Sequence, residues 1–287
     1  MNSTSAASAR GGQVKAATPN SGWPDESGNY IMQPIDIAIE LAKESGRIQM
    51  ENLSRVRDVQ YKIETDIVTD VDKKCEELIV GRLQKEFPKH DIMAEEGSGN
   101  RLKSEWRWIV DPLDGTLNYA HGYPVFATSI ALEYKGEVIL GVIYEPNRDE
   151  LFAAEKGSGA TLNNRRIKVS GTTELRKALL DTGFAYNKSR KEQDDNIAHF
   201  LNFLSEATSI RRDGAAAVDF CSVACGRFDG FWELYLKPWD VAAGQLLVKE
   251  AGGNVSMFNG SPFDIYKMEM VASNGLLHEQ MVRILRP

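Results

Sequence analysis

Residues 108–119 read Trp-Ile-Val-Asp-Pro-Leu-Asp-Gly-Thr-Leu-Asn-Tyr, an apolar run that meets two carboxylates, a glycine and a threonine. The aromatic and β-branched start of this stretch predicts a buried strand over residues 108–110. Pro112 cannot donate to a strand ladder, and it biases Asp111 toward an extended backbone. We therefore expect the strand to give way to a turn at Asp111 and Asp114.

The expected turn combines features of an anion site and of a cation site. Gly115 lets the backbone approach a ligand closely, and Thr116 offers a hydroxyl and an N–H group at an expected helix start. Together with the carboxylates of Asp111 and Asp114, this backbone suits a divalent metal that bridges protein and phosphate. A capped turn with solvated aspartates would be the alternative for a bare Asp-x-x-Asp, but the whole string favours the metal site.

The composition is that of a globular chain that can bury a core. The 287 residues are 42% hydrophobic and carry a net charge of -7, which argues against general affinity for nucleic-acid phosphate or anionic membranes. No apolar run of about 18 residues occurs, so no membrane span is expected. The sequence has three cysteines, Cys75, Cys221 and Cys225. They form no disulfide framework and fit a reducing compartment, which predicts a cytoplasmic protein.

The chain divides into a tail and one long folded unit. Residues 1–30 are rich in Ser, Ala, Gly and Asn and lack hydrophobic periodicity, so they are predicted to be a flexible tail. Residues 31–287 are predicted to form a single catalytic unit with lobes at about residues 31–170 and 171–287.

Periodicity and breaker residues predict alternating helices and strands in the folded unit. Helices are expected over residues 34–53, 69 or 70 to 87, 196–207, 215–224, 242–251 and 276–284. Strands are expected over residues 127–132, 138–144, 151–154, 179–182, 228–236 and 270–272. In the first half, two helices beside an antiparallel sheet indicate the α+β class.

Carboxylates follow apolar segments three times, each time near a glycine or a helix start. They are Glu95 with Glu96, Asp111 with Asp114, and Asp240, which is expected where a strand ends. Strand ends collect ligands in one crevice, and so many carboxylates would repel one another unless cations neutralised them. An oxygen-only set with no His or Cys nearby favours magnesium over zinc. The pattern thus predicts phosphate-monoester chemistry with two or more magnesium ions.

Two motifs carry a family resemblance. The stretch Asp111-Pro-Leu-Asp-Gly-Thr116 resembles the first signature of the inositol monophosphatase family, and Trp239-Asp-Val-Ala-Ala-Gly244, followed by Glu250-Ala-Gly-Gly253, resembles the second. The resemblance runs from about residue 35 to the C-terminus and is nearest to the bacterial type. It implies a layered αβαβα sandwich of the inositol monophosphatase and fructose-1,6-bisphosphatase type, commonly a homodimer, with lithium as an inhibitor.

The same resemblance implies a set of metal ligands. A first Mg²⁺ would be held by Glu95, Asp111 and the backbone carbonyl of Leu113. A second would be held by Asp111, Asp114 and Asp240, with Asp111 bridging the two ions. Glu95 would also help to hold a weaker third ion through water.

The resemblance further implies a catalytic group and a substrate site. Thr116 with Asp72, assisted by Glu95, would orient and activate a water that attacks phosphorus in line, so no covalent phospho-enzyme is expected. Glu233 would accept hydrogen bonds from inositol hydroxyls, although a solvated strand residue is the alternative. Substrate contacts would come from Asp114, Gly115, Thr116, Gly214, Ala215, Ala216, Glu233 and Asp240. Ala215 stands where many members carry a hydroxyl residue, which leaves the sugar preference open.

The predicted function is magnesium-dependent hydrolysis of myo-inositol 1-phosphate and related sugar or polyol monophosphates. Alternatives on the same scaffold are a fructose-1,6-bisphosphatase, a histidinol-phosphate phosphatase and a 3′-phosphoadenosine 5′-phosphate phosphatase. A different class of function is an added role in binding RNA or a transcription complex, for which Arg211, Arg212 and Lys237 could supply a local basic patch.

Overall fold

The computed structural model describes residues 33–53, 59–63, 66–184 and 196–286. Contacts group Pro34–Pro287 into one compact unit. The predicted tail, residues 1–30, lies outside the described residues.

The described residues form helices and strands that alternate along the chain. The helices are α1 (Pro34–Asn52), α2 (Asp70–Glu86), α3 (Thr116–Ala120), α4 (Ile197–Glu206), α5 (Ala216–Ala224), α6 (Pro238–Glu250) and α7 (His278–Leu285). The strands are β1 (Val59–Ile63), β2 (Asp66–Thr69), β3 (Asp91–Ala94), β4 (Trp106–Asp114), β5 (Ala127–Tyr134), β6 (Glu137–Glu145), β7 (Glu150–Glu155), β8 (Gly159–Leu162), β9 (Arg165–Arg166), β10 (Leu179–Thr182), β11 (Ser209–Arg211), β12 (Gly230–Leu234), β13 (Asn254–Ser256) and β14 (Glu269–Ser273).

Two large sheets organise these elements, and β1 pairs with β2 in a separate hairpin. The first sheet has the order β3-β4-β5-β6-β7-β8-β9, and the second has the order β11-β10-β12-β14-β13. The expected antiparallel sheet of the first half is therefore mixed, because β3 runs parallel to β4. The second sheet is also mixed, with β10 parallel to both β11 and β12.

The order of the layers can be read from the two faces of each strand, because neighbouring residues are buried against different helices. In β4, Trp108 and Val110 join the core that includes α1 and α2, whereas Ile109 joins the core that includes α5 and α6. In β12, Phe231 faces the α5 and α6 layer, and Trp232 packs with α4 and α7. This alternation, expected of strands buried on both faces, gives the order helices, sheet, helices, sheet, helices. The predicted α+β, αβαβα sandwich is confirmed.

Strand β4 continues through its two aspartates instead of stopping at the first. Asp111 pairs with Ser129 and Asp114 with Ala127, and the register shifts between them. This bulge leaves the Pro112 carbonyl out of the ladder, where it accepts hydrogen bonds from Gln49 Nε2 at 2.8 Å and Thr128 Oγ1 at 3.1 Å. A bulge re-aims side chains beside a site, so β4 presents both carboxylates in one place.

A second expectation, that Asp240 ends a strand, is wrong. β12 ends at Leu234, and α6 begins at Pro238, a residue well suited to a first helical position. Asp240 lies in the first turn of α6, where its Oδ2 accepts the Lys237 N–H at 2.7 Å. Among the described residues, no helix has the length and apolar character needed to cross a membrane.

Candidate active site

Three carboxylates from two elements meet at the bulge of β4. One oxygen each of Asp111, Asp114 and Asp240 lies within 4.8 Å of the other two. Asp111 is 1% exposed and Asp114 8%. Burial, with the charges of neighbouring acids, raises the pKa of Asp111 well above its ordinary value, and it raises the pKa of Asp114 to about 7. The trio is therefore a region where negative charge is costly unless a cation is present.

Glu95 lies beside this trio but outside its 4.8 Å grouping. It follows β3, and its N–H donates to the Val110 carbonyl at 3.2 Å, which extends the parallel pairing to β4. Its charge contributes to the raised pKa of both Asp111 and Asp114. The structure therefore brings the four predicted carboxylate ligands to one region.

The loop that carries Glu95 is held by a residue that was not predicted from the sequence. Glu76 of α2, only 2% exposed, accepts the Glu96 N–H at 2.7 Å and the Ser98 N–H at 2.8 Å. The sequence around Glu76 gives no sign of this role, because the contacts join residues 20 and 22 positions apart.

Asp72 and Thr116 lie together, as the resemblance implied. Thr116 Oγ1 is 3.0 Å from Asp72 Oδ1 and 3.1 Å from the Leu113 carbonyl oxygen. The other oxygen of Asp72 accepts the Thr69 N–H at 2.8 Å, closing a capping box at the start of α2. Asp72 is fully buried, and burial is the main cause of its raised pKa. The capping role fixes the carboxyl while leaving Oδ1 for the threonine.

Gly115 allows the close approach of two segments at this point. Its φ is 84°, and a Cβ there would lie 2.9 Å from the Val125 carbonyl oxygen and 3.0 Å from the Ala215 Cβ. Next to it, Asp114 Oδ2 accepts the Ala217 N–H at 2.7 Å. The end of β4 is thereby joined to the N-terminus of α5.

The predicted substrate segment, Gly214 to Ala216, enters α5 at this junction. Gly214 has a φ of 83°, and Ala215 and Ala216 are buried. Asn118 Nδ2 donates to the Asp213 carbonyl at 2.9 Å and to the Val125 carbonyl at 2.8 Å. The segment is held against α3, so it borders the carboxylate trio.

Glu233 reaches the same region from the second sheet. It is half-buried on β12. Burial and the charge of Asp240 raise its pKa well above the ordinary value, and the charge of Arg212 opposes that shift. A Cβ at Gly183 would lie 2.0–2.2 Å from its carboxylate atoms. Gly183, which the sequence did not mark as functional, therefore makes room for Glu233.

The residues present fit a hard divalent cation. The close group consists of carboxylates alone, with no Cys or His ligand, and oxygen donors are what Mg²⁺ prefers. Burial first, and then the charges of neighbouring acids, raise the pKa values of Asp111 and Asp114, and a bound cation would oppose both effects.

The αβαβα sandwich, with an acid-rich centre drawn from both of its sheets, defines a class of layered, metal-dependent phosphatases. The family comparison makes the assignment specific. The model of the inositol monophosphatase family matches residues 32–287, and the chain belongs to this family. It is accordingly a phosphatase of that family.

Individual relatives agree with this assignment. The chain is 43% identical to the protein named Nus factor SuhB of Pseudomonas aeruginosa, over 89% of this chain and 97% of the relative. It is 41% identical to an inositol-1-monophosphatase of Synechocystis sp., over 88% of each chain. The crystal structure of the extragenic suppressor protein suhB from Bartonella henselae superimposes with a TM-score of 0.83 at 39% identity, covering 88% of this chain and 97% of that one.

Proposed function

We propose that this protein is a magnesium-dependent phosphomonoesterase that hydrolyses inositol 1-phosphate and related polyol monophosphates. The observation that carries the proposal is the trio of Asp111, Asp114 and Asp240 beside the Thr116–Asp72 pair. Asp111, Asp114, Asp240, Glu95 and the Leu113 carbonyl would hold Mg²⁺. When bound, Mg²⁺ supplies charge stabilisation for the phosphoryl group and lowers the pKa of a water.

The remaining chemistry is assigned to side chains and amides of the chain. Thr116 Oγ1, in contact with Asp72, orients the attacking water and passes its proton toward the Asp72 carboxylate. The N–H groups of Gly115 and Thr116, at the start of α3, bind the phosphate oxygens. The water attacks phosphorus in line with the leaving alcohol, so inversion occurs without a covalent phospho-enzyme.

A substrate panel tests this proposal directly. Phosphate release is measured with and without Mg²⁺ from inositol 1-phosphate, fructose 1,6-bisphosphate, histidinol phosphate and 3′-phosphoadenosine 5′-phosphate. We expect the highest kcat/KM for inositol 1-phosphate and inhibition by Li⁺. Absence of magnesium-dependent release from every substrate would contradict the proposed activity, and a higher kcat/KM for another substrate would contradict the proposed specificity.

Glu233 is expected to determine preference for the polyol. Glu233→Gln should lower kcat/KM for inositol 1-phosphate by roughly 10- to 100-fold, since bound Mg²⁺ favours the ionised form of Glu233 and hydrogen bonds to a charged acceptor contribute about 1.5–3 kcal/mol. For phenyl phosphate, which has no ring hydroxyl to bind Glu233, the same substitution should lower kcat/KM by less than about threefold. Steady-state kinetics with both substrates check the difference, and an equal loss for both would rule out a role in substrate preference.

A glycine pair supplies a matched control for the Glu233 prediction. Gly183→Ala should reproduce the selective loss because the new Cβ displaces the Glu233 carboxylate. Gly171→Ala should change kcat/KM for neither substrate. No atom lies within 4 Å of the place that its new Cβ would occupy, and the φ of Gly171 is not in the left-handed region.

The demand for Mg²⁺ is expected to rise as the pH falls. Burial raises the pKa of Asp114 from 3.8 to about 7 in the absence of metal, and cation binding requires the ionised carboxylate. In the folded, metal-free protein, Asp114 therefore keeps its proton up to about pH 7, and Mg²⁺ must displace that proton at lower pH. The Mg²⁺ concentration that gives half-maximal activity should increase up to about tenfold per pH unit below 7 for each displaced proton.

Magnesium titrations of phosphate release between about pH 5.5 and 8.5 check this expectation. The raised pKa of Asp114 also predicts that, in the presence of a chelator, the free energy of unfolding falls as the pH rises from about 4 to 7. The reason is that over this range the folded state binds a proton at Asp114 that the unfolded state has released. A half-saturating Mg²⁺ concentration that does not change with pH would contradict the assignment of Asp114 as a ligand.

A second candidate function is an added role in a transcription complex. The relative from Pseudomonas aeruginosa carries the name Nus factor, and Arg211, Arg212 and Lys237 are exposed in this chain. Asp111→Asn separates the two functions in cells, since a role that survives this change does not require catalysis. Loss of that role together with phosphatase activity would count against a separate binding function.

A further inference from the structure

A second group of three carboxylates lies outside the proposed catalytic set. It joins Asp181 of β10, Asp213 of the segment between β11 and α5, and Asp219 of α5, with one oxygen of each within 4.8 Å of the other two. Asp181 is 0% exposed and Asp219 is 1% exposed, whereas Asp213 is half-buried. The proposed hydrolysis uses none of the three.

The buried oxygens of this group have no hydrogen-bond partners among the described residues. Both oxygens of Asp181 and Oδ1 of Asp219 are fully buried and accept no hydrogen bond. Burial raises the pKa of Asp181, and the backbone N–H groups of Thr182 and Asp213 are near enough to oppose that shift, but neither N–H reaches the distance and angle of a full hydrogen bond to it. Buried carboxylates are normally paired, hydrogen-bonded or bound to metal, so these oxygens require a partner.

Within the part of the chain that the structure describes, the surrounding charged side chains do not supply that partner. Arg212 is the cation whose charge acts on Asp181, and its side chain is exposed. The charges of Glu233 and Asp114 act on Asp219 as well as those of Asp181 and Asp213, and all of them are negative. Among the described residues, the acids whose charges act on the group outnumber this guanidinium.

We propose that Asp181, Asp213 and Asp219 form a second cation site, separate from the catalytic trio, for a hard divalent cation such as Mg²⁺ or Mn²⁺. The donors are carboxylates alone, the ligand type that such ions select. They come from three elements, so a bound ion ties β10 to the start of α5 and to the segment before it.

This position gives the site a function in ordering the substrate pocket. The Asp213 carbonyl accepts a hydrogen bond from Asn118 of α3, and the Ala217 N–H of α5 donates to Asp114. An ion on Asp213 and Asp219 therefore fixes the segment that borders the catalytic trio from its other side. The proposal does not rest on the proposed activity, because its test is binding of Mn²⁺.

The test counts Mn²⁺ in the full-length chain when the catalytic trio is disabled. In an Asp111→Asn protein, equilibrium dialysis should find a bound Mn²⁺ that is lost in Asp111→Asn/Asp181→Asn. Addition of Mn²⁺ should raise the Tm of the first protein and leave the Tm of the second unchanged. Asp111→Asn/Asp229→Asn is the matched control and should keep the ion, because Asp229 is buried but already accepts hydrogen bonds from Ser170 and the Leu179 N–H.

Asp213→Asn in the same background provides a second variant at a half-buried position and should also lose the ion. Equal Mn²⁺ binding by the folded Asp111→Asn protein and by its double variants with Asp181→Asn and Asp213→Asn would overturn the proposal. A folded Asp111→Asn protein that binds no Mn²⁺ would also overturn it, and would indicate that protons alone neutralise the three carboxylates.

Discussion

Asp111→Asn is expected to abolish magnesium-dependent phosphate release, with kcat falling by about 10³-fold or more, a loss of roughly 4 kcal/mol of transition-state stabilisation. Asp111 is the most central acid of the site: it is 1% exposed, and the charges of Glu95, Asp114 and Asp240 all act on it. An amide of the same shape keeps the packing but removes the charge that would be shared between two ions. Phosphate release at saturating substrate over a range of Mg²⁺ concentrations measures the effect.

The stability of the Asp111→Asn protein should change in the opposite direction. In chelator the variant should unfold at a higher temperature than the parent, because one of the mutually repelling carboxylates has gone. Asp91→Asn is the matched control: Asp91 is equally buried, but it accepts the Leu102 and Ser104 N–H groups away from the trio. It should cost stability and leave kcat unchanged. A kcat for Asp111→Asn within tenfold of the parent would contradict the proposed metal centre.

Thr116→Ala is expected to lower kcat by about 10²- to 10³-fold, the size typical of lost proton-transfer assistance. The hydroxyl lies 3.0 Å from Asp72 Oδ1 and 3.1 Å from the Leu113 carbonyl oxygen, so its removal leaves Asp72 without its link to the attacking water. The carboxylate trio is untouched, so half-saturating Mg²⁺ should stay close to the parent value.

Thr116→Ser separates chemistry from packing in this prediction. Serine keeps the hydroxyl and removes only a methyl group, so it should retain kcat within about threefold if proton transfer is the role. Rapid-quench or steady-state measurement of phosphate release under saturating Mg²⁺ compares the two variants. Equal losses for alanine and serine would show that the methyl group matters and that the hydroxyl does not.

The carboxylates of the site could be predicted because their signal is local. Asp111 and Asp114 lie at the end of β4, after its β-branched Ile109 and Val110, and Glu95 follows β3. The predicted strand end at Asp240 was wrong, because Asp240 caps the start of helix α6. Pro238 was the available sign, because proline favours a first helical position.

Other parts of the site depend on contacts between distant residues and leave no local pattern. The bulge in β4 needs Gln49 of α1 to satisfy the Pro112 carbonyl, a contact across 63 positions. The parallel pairing of β10 with β11 and with β12 is likewise set by tertiary packing. It places Asp181 next to Asp213 and Asp219, which no spacing in the sequence indicates.

The helical layer of α5 and α6 packs against both large sheets. Asp240 lies on α6, Asp111 and Asp114 on a strand of one sheet, and Glu233 on a strand of the other. A molecule in which the first sheet has loosened therefore lacks metal ligands, and one in which the second sheet has loosened lacks the polyol contact of Glu233. Heat inactivation measured with inositol 1-phosphate should thus report the less stable of the two sheets, whereas turnover of phenyl phosphate should follow the first sheet.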